Sequence, residues 1–126
     1  MPTTHTIQIK KMPDPSTGDI QWKVVPGRIA ANAGDKIMFQ VPGNKPNPPA
    51  PLKPSAITIV ISKTTVDGTG KVRSFSIKEN QTERQFKIHA NAHHHNRDKT
   101  YCYAVFCHAD DEVATGNSYP RIIIKR

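Results

Sequence analysis

The sequence predicts an all-β domain, a Greek-key β-sandwich or barrel of about eight short strands. Three observations support this fold class. Apolar and polar residues alternate in short runs, as in Ile20-Gln21-Trp22-Lys23-Val24. Turn residues such as Pro26-Gly27 and Gly34-Asp35 separate these runs at short intervals. No stretch has the periodicity of an amphipathic helix, so helices between the strands are not expected.

The length and composition are those of one soluble domain. The 126 residues are 36% hydrophobic and 22% charged, which excludes both an intrinsically disordered chain and a membrane-spanning one. A chain of this size buries a core without help from disulfides or metals, so residues 1–126 are expected to form a single domain. The longest apolar run, Ala56 to Ile61, is far too short to cross a bilayer.

Eight or nine segments have the alternation or β-branched composition of a strand. Most are predicted to bury one face, but the run Ala56 to Ser62 is apolar on both faces and predicts a central strand buried on both sides. The predicted strands cover residues 5–10, 20–24, 28–31, 36–41, 56–62, 71–78, 83–89, 100–107 and 119–125.

Residues 42–54 contain six of the eleven prolines. Proline fixes φ and removes a backbone donor, so this segment is expected to be a stiff, extended connection. We interpret it as a crossover between two sheets, with a proline-rich ligand for a recognition domain as the alternative.

The chain is strongly basic, with a net charge of +8 and a pI near 9.7. This balance favours an acidic partner, such as nucleic acid, anionic lipid or an acidic protein surface. The basic residues are scattered along the sequence and aromatic residues make up only 6%, so nucleic-acid binding is not expected. The partner is left open: an acidic protein surface is one candidate, and the alternative is that the charge only keeps the domain soluble.

Four segments, taken in order, carry a resemblance to a known family. The first is a strand followed by a Gly-Asp turn and a second strand, and the second is a polar turn before an alternating strand. The third is an aromatic strand that ends in cysteine, and the fourth is a loop that returns into the last strand. Their sequences are Pro26-Gly27-Arg28-Ile29 with Ala33 to Phe39, Glu79 to Phe86, Tyr101 to Cys107, and Gly116 to Ile124. Together they resemble the cupredoxins, the Greek-key domains that hold blue copper.

The resemblance implies a copper site that this sequence does not complete. A blue-copper site uses a cysteine thiolate, two histidines and a weak axial ligand. Cys107 matches the cysteine and shares the parity of Tyr101 and Val105, so it should point into the core. His108 follows it immediately and should lie on the other side of the pleat. No methionine follows Cys107, and no histidine lies between Gln40 and Ile61, where the family has its first one. The alternative is a rewired site of Cys107, His108 and Glu112, joined by a distant histidine such as His89.

Other candidate residues have simpler interpretations. His93, His94 and His95 lie in a polar segment and are expected to bind metal only adventitiously, because consecutive side chains point apart. Cys102 and Cys107 lie five residues apart in one predicted strand, about 16 Å, so both should be free thiols. Cys102 is expected in the core or under an outer layer of the sheet. No phosphate-binding loop, nucleophile elbow or zinc-protease motif is present, so the chain is not expected to be an enzyme.

These observations predict a cupredoxin-like domain without a functional blue-copper site, which serves as a binding or structural module and needs no cofactor. The alternative is a copper-binding electron-transfer protein with atypical ligands around Cys107 and His108. Residues 1–5 show no secretory signal, which predicts a cytoplasmic protein unless a signal has been removed, whereas the family that the chain resembles is usually exported.

Overall fold

The computed structural model describes residues 2–61, 73–89, 98–114 and 120–125, and these residues form an all-β sandwich, as predicted. Ten strands are present in this described part, nine of them in the predicted segments and one, β9, within the predicted loop after Cys107. The strands are β1 Thr4–Pro13, β2 Ile20–Val25, β3 Arg28–Ala31, β4 Lys36–Gln40, β5 Ile57–Ile61, β6 Arg73–Ile77, β7 Glu83–Lys87, β8 Lys99–Cys107, β9 Glu112–Val113 and β10 Arg121–Ile124.

Two mixed sheets make up the sandwich. Sheet one has the strand order β2-β1-β4-β7, and sheet two has the order β3-β10-β8-β5-β6 with β9 added beside β8. The pairs β1–β4 and β3–β10 are parallel, whereas the other pairs are antiparallel. No helix among the described residues is long and apolar enough to span a membrane.

The core lies between the sheets and is formed by alternate residues of nearly every strand. Within β1 the inward residues are Ile7 and Ile9, and within β8 they include Val105 and Cys107, all fully buried. The prediction that the fifth strand is buried on both faces was wrong. Its inward isoleucines are buried, but Val60 on the other face is 38% exposed, and no layer formed by the described residues covers that face of sheet two.

The proline-rich segment is the predicted crossover from β4 in sheet one to β5 in sheet two. It begins with a short 3-10 helix, Pro42–Asn44. Gly43 lies so close to the returning chain that a Cβ atom there would be 2.9 Å from the carbonyl oxygen of Lys53. Only glycine permits this contact between the two ends of the crossover without a shift of the backbone.

A buried asparagine holds this end of the sandwich together. The Asn44 side-chain amide donates to the carbonyl oxygens of Ser55, Lys78 and Gln81 at 3.1, 3.0 and 2.8 Å, and its oxygen accepts from the N–H of Ser55 at 2.8 Å. Because Lys78 and Gln81 lie between β6 and β7, one side chain ties both crossovers between the sheets. We call this end of the molecule the Asn44 end.

A buried carboxylate organises the opposite end, which we call the Asp35 end. Asp35 follows Gly34, whose φ of +90° suits glycine, and is only 4% exposed. Its carboxylate accepts from the backbone N–H groups of Asn32 and Thr3 at 2.9 and 3.0 Å and lies 2.9 Å from Nε2 of His5. Burial acts to raise the pKa of Asp35, but these hydrogen bonds outweigh it and lower the pKa below its usual value.

The edges of the sheets at β6 and β7 meet through side chains. The rings of Phe75 and Phe86 stack with their centroids 5.3 Å apart. The guanidinium of Arg84 on β7 lies over the Phe75 ring and donates to the carbonyl oxygen of Ser76 on β6 at 2.9 Å. Arg84 therefore satisfies a backbone acceptor on the edge strand of the other sheet.

Replacing Asn44 with alanine should lower the free energy of unfolding by about 3 kcal/mol, because several backbone groups lose their hydrogen-bond partner at a buried position. Chemical denaturation at neutral pH measures the change. The exposed Asn80, in the nearby turn, is the matched control, and Asn80→Ala should cost less than about 0.5 kcal/mol. Equal losses in the two variants would contradict the role assigned to Asn44.

The stabilisation from Asp35 should disappear in acid. A carboxyl group whose pKa is lower in the folded state stabilises the fold above its unfolded pKa of about 3.9 and loses that contribution as the pH falls through its folded pKa. At pH 6 we expect Asp35→Asn to be less stable than wild type by about 1–3 kcal/mol. Below pH 4 the difference should narrow, which denaturation curves measured from pH 6 to pH 2 would reveal. A constant difference across this range would show that ionisation of Asp35 is not involved.

Candidate functional site

Three residues of the candidate copper site, Cys107, His108 and Glu112, lie at or just after the end of β8, at the Asn44 end of the sandwich. Cys107 is the last residue of that strand, lies opposite Ile57 of β5 and is fully buried, as predicted. Burial, reinforced by the nearby carboxylates of Glu112 and Asp110, raises the pKa of its thiol to about 12. In the metal-free protein Cys107 is therefore a neutral thiol at physiological pH, which makes it a poor nucleophile.

His108 lies on the opposite side of sheet two from Cys107. It is exposed and begins a short 3-10 helix, His108–Asp110. Its Nε2 is hydrogen-bonded to Oγ1 of Thr58 at 2.7 Å, and its ring packs edge-to-face on Phe106 with centroids 4.9 Å apart. Thr58 and Phe106 are on the outer face of the sheet, so the imidazole and the Cys107 thiol do not face a common space.

The two acidic residues after Cys107 bind Trp22 and Lys11 instead. The Trp22 indole Nε1 donates to Oδ2 of Asp110 at 2.6 Å, and the Trp22 backbone N–H donates to Oε2 of Glu112 at 3.1 Å. The Lys11 ammonium lies 2.6 Å from the same Asp110 oxygen. The hydrogen bond from Lys11, and to a smaller extent the one from Trp22, lowers the pKa of Asp110 below its usual value. These contacts fasten the loop after β8 to sheet one.

Backbone contacts also hold this loop to the end of the crossover. The His108 N–H donates to the carbonyl oxygen of Ala56 at 3.0 Å, and the Ala109 N–H donates to Oγ of Ser55 at 3.2 Å. Ser55 is itself bound to Asn44, so the position of the loop depends on the same polar centre as the two crossovers.

The remaining histidines do not join Cys107 in the described part of the chain. His89 directly follows Ile88, whose carbonyl oxygen accepts from Gly34, so it lies at the Asp35 end and not beside Cys107. His93, His94 and His95 lie outside the described residues. Among residues 2–61, 73–89, 98–114 and 120–125, no group of three or more histidine, cysteine, aspartate or glutamate side chains is arranged to hold a metal ion.

Cys102 lies on the outer face of β8, and both cysteines are free thiols, as predicted. The expectation that Cys102 is in the core or under an outer layer was wrong, because the residue is exposed. It has the same parity as Ala104, also exposed, on a face of sheet two that no layer of the described residues covers.

Sequence reasoning missed Asn44 and the bonds between Lys11, Trp22 and Asp110. A polar residue in a proline-rich segment gives no local signal that its side chain reaches three distant carbonyl oxygens. The charge pair of Lys11 and Asp110 is nearly a hundred positions apart, so only the tertiary fold brings it together. No protein-family model and no curated protein matches this chain.

The two thiols should differ sharply in reactivity. Because the thiolate is the reactive species, exposed Cys102 should react quickly with a chromogenic disulfide reagent, whereas buried Cys107 should react only on unfolding. Stopped-flow absorbance on wild type, Cys102→Ser and Cys107→Ser assigns each phase. Two thiols should be counted in denaturant without reductant. Equal native rates would contradict the placement of Cys107, and a count of zero would contradict the absence of a disulfide.

Proposed function

We propose that this chain is a cupredoxin-like domain without a functional blue-copper site and that it acts as a binding or structural module. Support for the cupredoxin-like character comes from the ordered sequence segments and from a two-sheet sandwich in which a cysteine ends a central strand at one end of the core. The observation that carries the loss of copper is the placement of His108, whose ring is bound to Thr58 and Phe106 across the sheet from Cys107.

The contacts of the other potential metal ligands near Cys107 support the same proposal. A blue-copper site needs a thiolate and two imidazoles that converge on one point. Here the imidazole of His108 lies across the sheet from the Cys107 thiol, and the carboxylates of Asp110 and Glu112 are bound to Lys11 and Trp22. The segment that would supply the first histidine is the proline-rich crossover, which contains none. The residues present do not fit the metal.

A non-enzymatic role is part of the proposal. Cysteine catalysis requires a thiolate, commonly one paired with a histidine. Burial keeps Cys107 neutral, and His108, its neighbour in sequence, faces the other side of the sheet. With a net charge of +8, the partner of such a module would be an acidic protein surface.

The second candidate is a copper-binding electron carrier with atypical ligands. One observation favours it: Cys107 and Glu112 are register partners in the β8–β9 pair, so a thiol and a carboxylate are neighbours at the position that the resemblance assigns to copper. A site built on them would need His108 to leave Thr58 and rotate to the inner face.

Stoichiometric Cu(II) should give only a weak visible band, because no trigonal site of one thiolate and two imidazoles is preformed. Visible absorption and electron paramagnetic resonance on wild type and Cys107→Ser should give the same spectra. A variant with His93, His94 and His95 replaced by serine tests where adventitious copper goes, and it should bind less. An intense band with a small copper hyperfine splitting, lost in Cys107→Ser, would overturn the proposal in favour of the electron carrier.

A further inference from the structure

We propose that the outer face of sheet one binds an acidic surface of a partner protein. We call this surface the lysine face. It consists of the side chains on the strands β2, β1, β4 and β7 that point away from the core. Its rows, read across the sheet from the register, are Gln21 and Met12, then Lys23 and Lys10, then Val25, Gln8, Gln40 and Glu83, then Thr6, Met38 and Gln85, and last Thr4, Lys36 and Lys87.

The charge on this face is unbalanced. Four lysines lie on it, and its only carboxylate among these strand positions is Glu83 at one corner. Lys23 is neutralised by Asp14 at 2.8 Å, whereas Lys10, Lys36 and Lys87 form no ion pair with any described residue. The Lys10 and Lys36 ends are six residues apart along β1, about 20 Å, which is the span of a small protein interface.

A pair of lysines on neighbouring strands gives the strongest support for an acidic partner. Lys36 of β4 and Lys87 of β7 are direct cross-strand partners, and both are exposed. Like charges directly opposite each other destabilise a sheet, so this pair weakens the free domain. A partner that presents carboxylates to the pair would neutralise both charges at once and remove their repulsion.

Two grooves border the same face, so its surface is not flat. One, of about 330 Å³, is lined by Gln8, Gln40, Pro42, Lys45, Thr82 and Glu83. The other, of about 240 Å³, is lined by Met12, Pro13, Pro15, Lys23, Val24, Val25 and Pro26. The first combines the Lys45 ammonium and the Glu83 carboxylate with the amides of two glutamines, and the second offers apolar walls beside a lysine. Such a mixture of polar and apolar surface is usual for a protein interface.

The chemistry of the face favours a protein over a nucleic acid. No aromatic or arginine side chain occupies its outward strand positions, so it has neither stacking platforms for bases nor the bidentate groups that grip phosphates. Its central positions are glutamine, methionine and threonine, which form hydrogen bonds and van der Waals contacts with a folded surface. This inference rests on the proposed function, because it assigns the partner surface of the binding module.

The experiment maps the binding of a poly-L-glutamate peptide of about 20 residues by ¹H–¹⁵N NMR shifts in copper-free protein at low salt. Shifts should concentrate on β1, β4 and β7. The double variant Lys36→Glu with Lys87→Glu should bind about tenfold more weakly. Its control, Lys53→Glu with Lys78→Glu, makes the same charge change at exposed positions off the face and should bind nearly as well as wild type.

The single variant Lys87→Glu separates binding from stability. It converts a like-charge pair into an ion pair with Lys36, so its melting temperature should rise while its affinity for poly-L-glutamate falls. Shifts centred on another face, equal loss in both double variants, or no binding would overturn the lysine face. Tighter binding there by duplex DNA or phosphatidylserine vesicles at equal ionic strength would overturn a protein as the partner. Failure of the proposed function would instead appear as a blue copper band in the titration above.

Discussion

The Asn44 side chain connects stretches of backbone that neither sheet alone would hold together. It follows β4, binds Ser55 just before β5 and reaches the carbonyl oxygens of Lys78 and Gln81 between β6 and β7. Both connections are crossovers between the sheets, where backbone groups have no ladder partners of their own. Through Ser55 the same centre reaches the loop after β8. The geometry around Cys107 is thus set by a residue with no role in metal chemistry.

The loop after β8 shows why its acidic residues are poorly suited to a metal. Asp110 and Glu112 accept both N–H groups of Trp22, which is 1% exposed, and Asp110 also binds Lys11. Moving either carboxylate to an ion would leave a tryptophan donor without its partner, at a cost of about 1–3 kcal/mol for each buried group. Glu112 also covers a backbone donor on β2, an edge strand, much as Arg84 covers a backbone acceptor on β6.

Sequence patterns were sufficient for nine of the ten described strands and for the sides of the sheet on which Cys107 and His108 lie. Because side chains alternate along a strand, the buried position of Cys107 and the opposite position of His108 followed from parity alone. Parity could not predict that the outer face of sheet two is exposed. Val60 and Cys102 are apolar, but whether a layer covers them depends on packing between elements distant in sequence. The hydrogen bonds of Asn44 are equally non-local, so its importance emerged only from the fold.

The parallel pairing of β3 with β10 has a consequence for the order in which the chain acquires its shape. Ile29 lies beside Ile122, so among the described strands β3 has no neighbour in its sheet until β10 has emerged during synthesis. Contacts of such long range slow folding, because a large loop must close before they form. Sheet one, whose strands all lie within residues 4–87, has its full set of partners sooner. During translation sheet one would therefore have all its strands while the apolar side of β3 is still exposed. At this stage the nascent chain would present apolar surface to which a chaperone could bind.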